Sequence, residues 1–125
     1  MGLFSGILGN ATTQSNDAIA KELADVLIIN EEVDLSFKLI RDLIVFTNKR
    51  LIIIDKQGMT GKKVEYRSIP YKSISRFSVE TTGHFDLESE LKIWISSGEL
   101  PAEQLMFRKD ANIINVQKAL ATAIL

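Results

Sequence analysis

The residues with the clearest chemical potential in this sequence are basic side chains around one predicted hairpin. The stretch VFTNKRLI sets Lys49 and Arg50 between two apolar runs. Ammonium and guanidinium groups on a rigid turn can bind a phosphate or an anionic membrane surface. The candidate anion-binding or lipid-binding residues are Lys49, Arg50, Lys56, Lys62 and Lys63. A simpler interpretation, which we favour, is that these bases are solvated groups on strand edges, where lysine discourages aggregation.

The charge of the chain supports an anion site only locally. Between Arg41 and Arg76 the sequence holds nine bases and three acids, a surplus of +6. The whole 125-residue chain carries a formal charge of −1, so nothing global indicates a nucleic-acid partner. The pattern leaves a local anionic ligand open and predicts no nucleic-acid binding.

Catalytic and metal-binding signatures are missing from the sequence. There is one histidine, His84, and no cysteine, which removes thiol chemistry, thiolate ligands and disulfides. The stretch Gly58–Lys63 differs from a phosphate loop because only two residues separate its glycines and a second lysine follows the first. The sequence therefore predicts that the protein is not an enzyme and has no catalytic residue, no metal site and no cofactor.

The N-terminus and the lengths of the apolar runs indicate where in the cell we expect the protein. No apolar run approaches the roughly 20 residues that a membrane-spanning helix needs. Residues 1–15 form an apolar, glycine-containing tail without a basic residue, which makes a poor signal peptide. We therefore expect a cytoplasmic protein in which residues 16–125 form a single domain. We expect the tail to dock within the protein or an oligomer rather than on a membrane.

Hydrophobic periodicity predicts the elements that must position these residues. Asp17 caps a helix that continues to about Ile28. Its apolar stripe consists of Ile19, Leu23, Val26 and Leu27. About seven short strands follow, separated by turn residues, and a second amphipathic helix begins after Asp110. This order predicts a mainly β protein, a sandwich or partly open barrel that the C-terminal helix closes.

The predicted hairpin around Asn48-Lys49 has two apolar faces. Alternation places Leu43, Val45, Ile52 and Ile54 on one face, and Ile44, Phe46, Leu51 and Ile53 on the other. Because antiparallel sheets commonly have one wet face, this hairpin needs a second cover, either the N-terminal helix or another subunit. The candidate oligomer-interface residues are Ile44, Phe46, Leu51, Ile53 and Trp94.

Several segments of the chain resemble the bacterial pleckstrin-homology (PH) domain family, in particular its short single-domain members long classed as a domain of unknown function. The segments are TNKRLI, DKQGMTGKKVEYRSIPYKSISRFSVET and GHFDLESELKIWIS, in this order. The resemblance implies a PH-like, partly open barrel of two near-orthogonal antiparallel sheets, capped by a C-terminal helix. It also implies self-assembly into a ring-like homo-oligomer. The basic signature of eukaryotic PH domains that bind phosphoinositides is absent at Lys38–Leu43.

Two functions remain as expectations. The first is a non-enzymatic PH-like interaction or scaffold module whose partner is a further copy of itself, with other protein partners unknown. The second is a peripheral binder of anionic lipid or another anionic ligand through the basic hairpin region. We favour self-assembly over a membrane partner because of the two apolar faces of the hairpin and the family resemblance.

Overall fold

The computed structural model describes residues 16–39, 42–57, 63–81, 88–108 and 113–125. The helices are α1 (Asn16–Glu22) and α2 (Ile113–Ile124). The strands are β1 (Val33–Lys38), β2 (Asp42–Thr47), β3 (Arg50–Gln57), β4 (Lys63–Pro70), β5 (Ile74–Thr81), β6 (Glu88–Ile95) and β7 (Glu103–Arg108). A single 3-10 turn, Tyr71–Ser73, separates β4 from β5.

The strands form two antiparallel sheets. The first sheet has the order β1-β2-β3-β4 and the second has the order β5-β6-β7, so every hydrogen-bonded neighbour is also a neighbour in sequence. In the described part of the chain no strand pairing joins the two sheets, so they do not close into a continuous barrel. The predicted mainly β architecture, with an N-terminal helix and a C-terminal helix, is confirmed.

The β2–β3 hairpin has the register that the sequence predicts. Phe46 pairs with Leu51, and Ile44 pairs with Ile53. Thr47 and Arg50 flank the two-residue turn, and the Arg50 backbone N–H donates to Thr47 Oγ1 at 2.9 Å. The turn therefore fixes which side chains share a face, because a slip by one residue would exchange the two faces.

The main core lies between the two sheets. It receives Phe37 and Phe46 from the first sheet, whose rings meet edge to face with centroids 5.9 Å apart. The second sheet contributes Ile93 and Phe107, which are fully shielded from solvent. Helix α2 covers the open side with Leu120. Burying one side chain of this size contributes about 1.5–3 kcal/mol, so this cluster supplies much of the driving force for folding.

A second, smaller core covers the other face of the hairpin. It contains Leu43, Val45, Ile52 and Ile54, all buried beneath the N-terminal segment. Ile19 and Leu23 of that segment are 1% and 0% exposed, and they close the cluster. The helix is therefore the second cover that the two apolar faces require, which was one of the two predicted alternatives.

This arrangement corrects the assignment of four interface candidates. Ile44, Phe46, Leu51 and Ile53 are each 0% exposed and belong to the main core. They lie inside the single chain and offer no surface that a second copy could contact. The pattern of residues could not reveal this, because both faces of the hairpin are equally apolar and only the placement of the second sheet distinguishes them.

Helix α1 is shorter than predicted. It ends at Glu22 rather than near Ile28, although Val26 and Leu27 still pack on the smaller core. The carbonyl oxygen of Val26, which a longer helix would use for its own ladder, accepts a hydrogen bond from the Arg50 guanidinium at 2.7 Å.

Some predictions fall outside the described residues. The predicted cap Asp110, the single histidine His84, Lys62 and the tail at residues 1–15 all lie there. The domain boundary at residue 16 therefore stays a prediction. In the part of the chain that the structure describes, neither helix has the length and apolarity to cross a membrane.

Candidate functional site

Arg50, the central basic candidate, is occupied by contacts within the chain. Its Nε and Nη2 atoms donate to the two carboxylate oxygens of Glu31, each at 2.9 Å. Nη2 also donates to the Val26 carbonyl oxygen, and Nη1 donates to Ser68 Oγ at 2.9 Å. A guanidinium group that already binds a carboxylate through two bonds has little capacity left for an external anion.

Glu31 completes this contact from the loop between α1 and β1. Its side chain is 0% exposed, and it also accepts hydrogen bonds from Thr47 Oγ1 at 2.7 Å and from the Ile28 backbone N–H at 3.0 Å. Burial alone would raise the pKa of Glu31, but the hydrogen bonds from Arg50, Thr47 and Ile28 outweigh it and lower the pKa to about 2. The carboxylate is therefore held in its ionised form.

Asn48 attaches the hairpin turn to the same loop. Its Oδ1 accepts from the Glu32 backbone N–H at 2.8 Å, and its Nδ2 donates to the Asn30 carbonyl oxygen at 2.9 Å. Asn30 has a left-handed backbone with φ 65°, a conformation that asparagine tolerates better than most residues. We call Glu31, Thr47, Asn48 and Arg50 the hairpin clamp, because together they join the turn to the α1–β1 loop.

The remaining basic candidates do not converge on one site. Lys49 is exposed at the turn, whereas Lys56 lies near the far end of β3, about 23 Å away at ~3.3 Å per residue. Lys56 forms an ion pair with Glu22 at 3.3 Å. Lys63 is exposed at the start of β4, and Lys62 lies outside the described residues. The structure therefore places Lys49 at one end of β3, and Lys56 and Lys63 at the other end.

Arg67 forms a contact that the sequence did not reveal. From β4 it donates to both carboxylate oxygens of Glu103 on β7, each at 2.8 Å, and to Glu65 at 2.6 Å. The hydrogen bond to Glu103 raises the pKa of Arg67 by more than its burial lowers it. This contact, the sheet bridge, ties one edge of the first sheet to the second. The only sign of this contact in the sequence was that Arg67 shares a strand face with the apolar Ile69.

Trp94 lies on the outer face of the second sheet, opposite the core residues of β6, as its position in the alternation predicts. The Arg76 guanidinium carbon is 4.3 Å from the centroid of the indole ring. The indole Nε1–H donates to the Glu99 carbonyl oxygen at 3.2 Å. The partner Arg76 was missed because cross-strand pairing was not assigned from the sequence. A role for Trp94 in an interface stays a prediction.

Exposed apolar side chains gather along β4 and the α1–β1 loop. Val64 and Tyr66 on β4 are 37% and 39% exposed, and Ile28 and Ile29 in the loop are 58% and 85% exposed. Arg50 links these two places, because it binds both the loop and Ser68 of β4. We call Ile28, Ile29, Val64 and Tyr66 the β4 surface. Among the described residues no group of three or more histidine or acidic side chains could hold a metal ion.

Comparison with known proteins agrees with this architecture. The family model described as "Bacterial PH domain" matches residues 2–124. The chain is 64% identical over 121 residues to the uncharacterised protein YjqA of Bacillus subtilis (strain 168), which covers 97% of each chain. The crystal structure of a pleckstrin homology domain from Shewanella amazonensis SB2B is similar, with a TM-score of 0.84, 47% identity and 99% of each chain covered.

A second crystal structure shows the same relationship. A DUF1696 family protein with a pleckstrin-homology domain, from Shewanella loihica PV-4, has a TM-score of 0.76 and 42% identity. The match covers 90% of this chain and 99% of that one. Sequence and fold agree over nearly the full length, and the chain belongs to the bacterial PH domain family.

Proposed function

We propose that this chain is a non-enzymatic PH-like interaction module that assembles with further copies of itself into a homo-oligomer, with the ring as the expected arrangement. The observation that supports the proposal is the β4 surface. It combines exposed apolar side chains with the last strand of a sheet. The proposal includes a cytoplasmic location, with which the cysteine-free sequence is compatible.

The geometry of β4 suits a second protein chain. This strand has eight residues, from Lys63 to Pro70, and no described strand pairs with its outer edge. Unpaired backbone N–H and C=O groups along such an edge accept a further strand. Val64 and Tyr66 add apolar area, and Lys63 and Glu65 supply charges of both signs, which suits pairing between identical surfaces. Aromatic residues such as Tyr66 are enriched where protein chains meet.

Sedimentation velocity of the wild-type protein over a dilution series tests self-assembly. The monomer has a mass of 14.0 kDa. We expect a sedimenting species of several times this mass at micromolar concentration, with dissociation on dilution. A species of monomer mass throughout the series would contradict the proposal.

A second proposal is peripheral binding of anionic lipid through Lys49, Arg50, Lys56, Lys62 and Lys63. It has less support, because Arg50 belongs to the hairpin clamp and Lys56 pairs with Glu22. Its favourable observation is that Lys49 and Lys63 are exposed, and neither has a described acidic group within ion-pair distance. Flotation with anionic and neutral vesicles at low salt tests it, since salt screens such contacts. Equal flotation with both vesicle types would exclude charge-dependent binding.

A further inference from the structure

The outer face of the second sheet carries an open concavity of about 380 Å³ next to Trp94. It lies between the start of β5 and the turn that joins β6 to β7. Its lining residues are Ser75, Arg76, Ser96, Ser97, Gly98 and Glu99. Their side chains include hydroxyl, guanidinium and carboxylate groups, which can form hydrogen bonds with a small polar ligand.

The walls of this concavity are fixed by contacts within the chain. Ser96 has a left-handed backbone with φ 55°, and its N–H donates to the Ser73 carbonyl oxygen at 2.8 Å. The Gly98 N–H donates to the Ile95 carbonyl oxygen at 3.1 Å. A Cβ added at Gly98 would lie 3.2 Å from that same oxygen, so the turn favours glycine there. The shape is therefore built into the turn.

Trp94 positions the charged side chain of the concavity. Its ring lies beneath the Arg76 guanidinium at 4.3 Å, and its Nε1–H anchors the Glu99 backbone at 3.2 Å. A guanidinium group stacked on an aromatic ring keeps its in-plane N–H donors free for a ligand. One indole thus orders both sides of the concavity.

The two charges of the concavity have opposite sign and do not pair with each other. Arg76 and Glu99 both line it, yet no ion pair joins Arg76 to Glu99 or to any other acid in the described residues. The other described charges on this face are Glu80, Glu90 and Lys92, and Lys92 pairs with Glu90 at 3.7 Å. A plain anion would meet Glu99, and a plain cation would meet Arg76. A ligand that carries both signs complements both charges at once.

We propose that this concavity binds a small zwitterion that has a phosphate or carboxylate group and a primary ammonium group. Arg76 donates two hydrogen bonds to the oxyanion, Glu99 accepts from the ammonium group, and the hydroxyls of Ser75, Ser96 and Ser97 complete the polar shell. The ligand is either free in solution, as phosphoethanolamine or an amino acid, or the head group of an ethanolamine lipid. The site is separate from the β4 surface and does not depend on self-assembly.

Titration of the ¹⁵N-labelled protein with O-phosphoethanolamine tests the proposal by NMR. The chain has one tryptophan, so a single indole N–H signal reports on the site. We expect saturable shifts of this signal and of the amides of Ser96, Ser97, Gly98 and Glu99. Inorganic phosphate alone and ethanolamine alone should bind at least about tenfold more weakly, since each satisfies one charge. The absence of a saturable shift with phosphoethanolamine and with glycine would overturn the proposal.

Matched variants separate a built site from general electrostatics. R76Q and E99Q should each weaken phosphoethanolamine binding about tenfold or more, while the remaining backbone signals overlay with the wild type. K92Q removes a positive charge from the same face outside the concavity and should bind normally. Unchanged affinity in R76Q or E99Q, or an equal loss in K92Q, would overturn the proposal.

A vesicle experiment identifies the source of the ligand. Cosedimentation with phosphatidylethanolamine vesicles that is lost in R76Q, and is absent with phosphatidylcholine vesicles, would identify the lipid head group. Saturable NMR shifts without such cosedimentation would identify a free zwitterion. Phosphatidylcholine serves as the control because its quaternary ammonium cannot donate a hydrogen bond to Glu99. Either of the two results would support a zwitterion site in the concavity.

Discussion

Lys49 and Arg50 are neighbours in sequence with opposite surroundings in the fold. Lys49 is exposed at the turn, whereas Arg50 makes four hydrogen bonds with Glu31, Val26 and Ser68. The sequence identified both as basic candidates because each carries a positive charge. It could not assign Arg50 to the hairpin clamp, because Glu31 lies 19 positions away and only the folded chain brings the two together.

Replacing Arg50 by alanine should destabilise the protein strongly. The change leaves the fully buried Glu31 carboxylate without its charged partner, which costs about 3–5 kcal/mol when a buried pair is broken. Urea unfolding followed by circular dichroism measures the change in the free energy of unfolding. The control K49A should stay within about 0.5 kcal/mol of the wild type, since Lys49 is exposed. Equal losses in the two variants would contradict the structural role of Arg50.

Glu31 also predicts a pH dependence. Its pKa falls from an ordinary 4.5 to about 2 in the folded chain. The group therefore stabilises the fold fully above pH 4.5, and this contribution is lost as the pH falls towards 2. The shift corresponds to about 3 kcal/mol. Urea midpoints between pH 6 and pH 2.5 should fall for the wild type and fall less for E31Q. Parallel curves for the two proteins would be evidence against this assignment.

At the scale of elements, the β2–β3 hairpin shows what sequence patterns can and cannot determine. Side chains alternate with a period of two, and the turn at Asn48-Lys49 pins the register, so the pairing of Phe46 with Leu51 was predictable. Which face of the hairpin meets the second sheet and which meets α1 was not predictable, because Ile44 on one face and Ile52 on the other are equally apolar. The end of α1 at Glu22 was not predicted, because Val26 and Leu27 keep the apolar spacing of a helix and pack on the smaller core without belonging to one.

The double variant I44D/I53D should not fold. Both side chains are 0% exposed in the main core, and two buried carboxylates without partners exceed the stability of a small domain. Circular dichroism and one-dimensional NMR would show an unfolded chain. Y66K, which places a charge on the exposed face of β4, should keep the native spectrum. A folded, monomeric I44D/I53D protein would instead return these residues to an interface.

At the scale of the whole molecule, two sheets and two helices form a PH-like fold, in agreement with the match to the bacterial PH domain family. The sheet bridge joins β4 to β7 where no backbone pairing does, through Arg67 and Glu103. With α1 covering the smaller core, exposed apolar side chains remain along β4 and the α1–β1 loop, and also singly at Leu100, Met106, Ile114 and Leu125. The β4 surface is therefore available to a second copy, whereas both faces of the β2–β3 hairpin are buried within the chain.

The most direct test of self-assembly through β4 is the light-scattering mass of the wild type and of V64K/Y66K at the same micromolar concentration. The account predicts a multiple of 14.0 kDa for the wild type and 14.0 kDa for the variant, with native circular dichroism spectra for both. L100K, at a residue that is 82% exposed on the β6–β7 turn, serves as the control and should assemble normally. A wild-type mass of 14.0 kDa, or an unchanged oligomer in V64K/Y66K, would contradict the account.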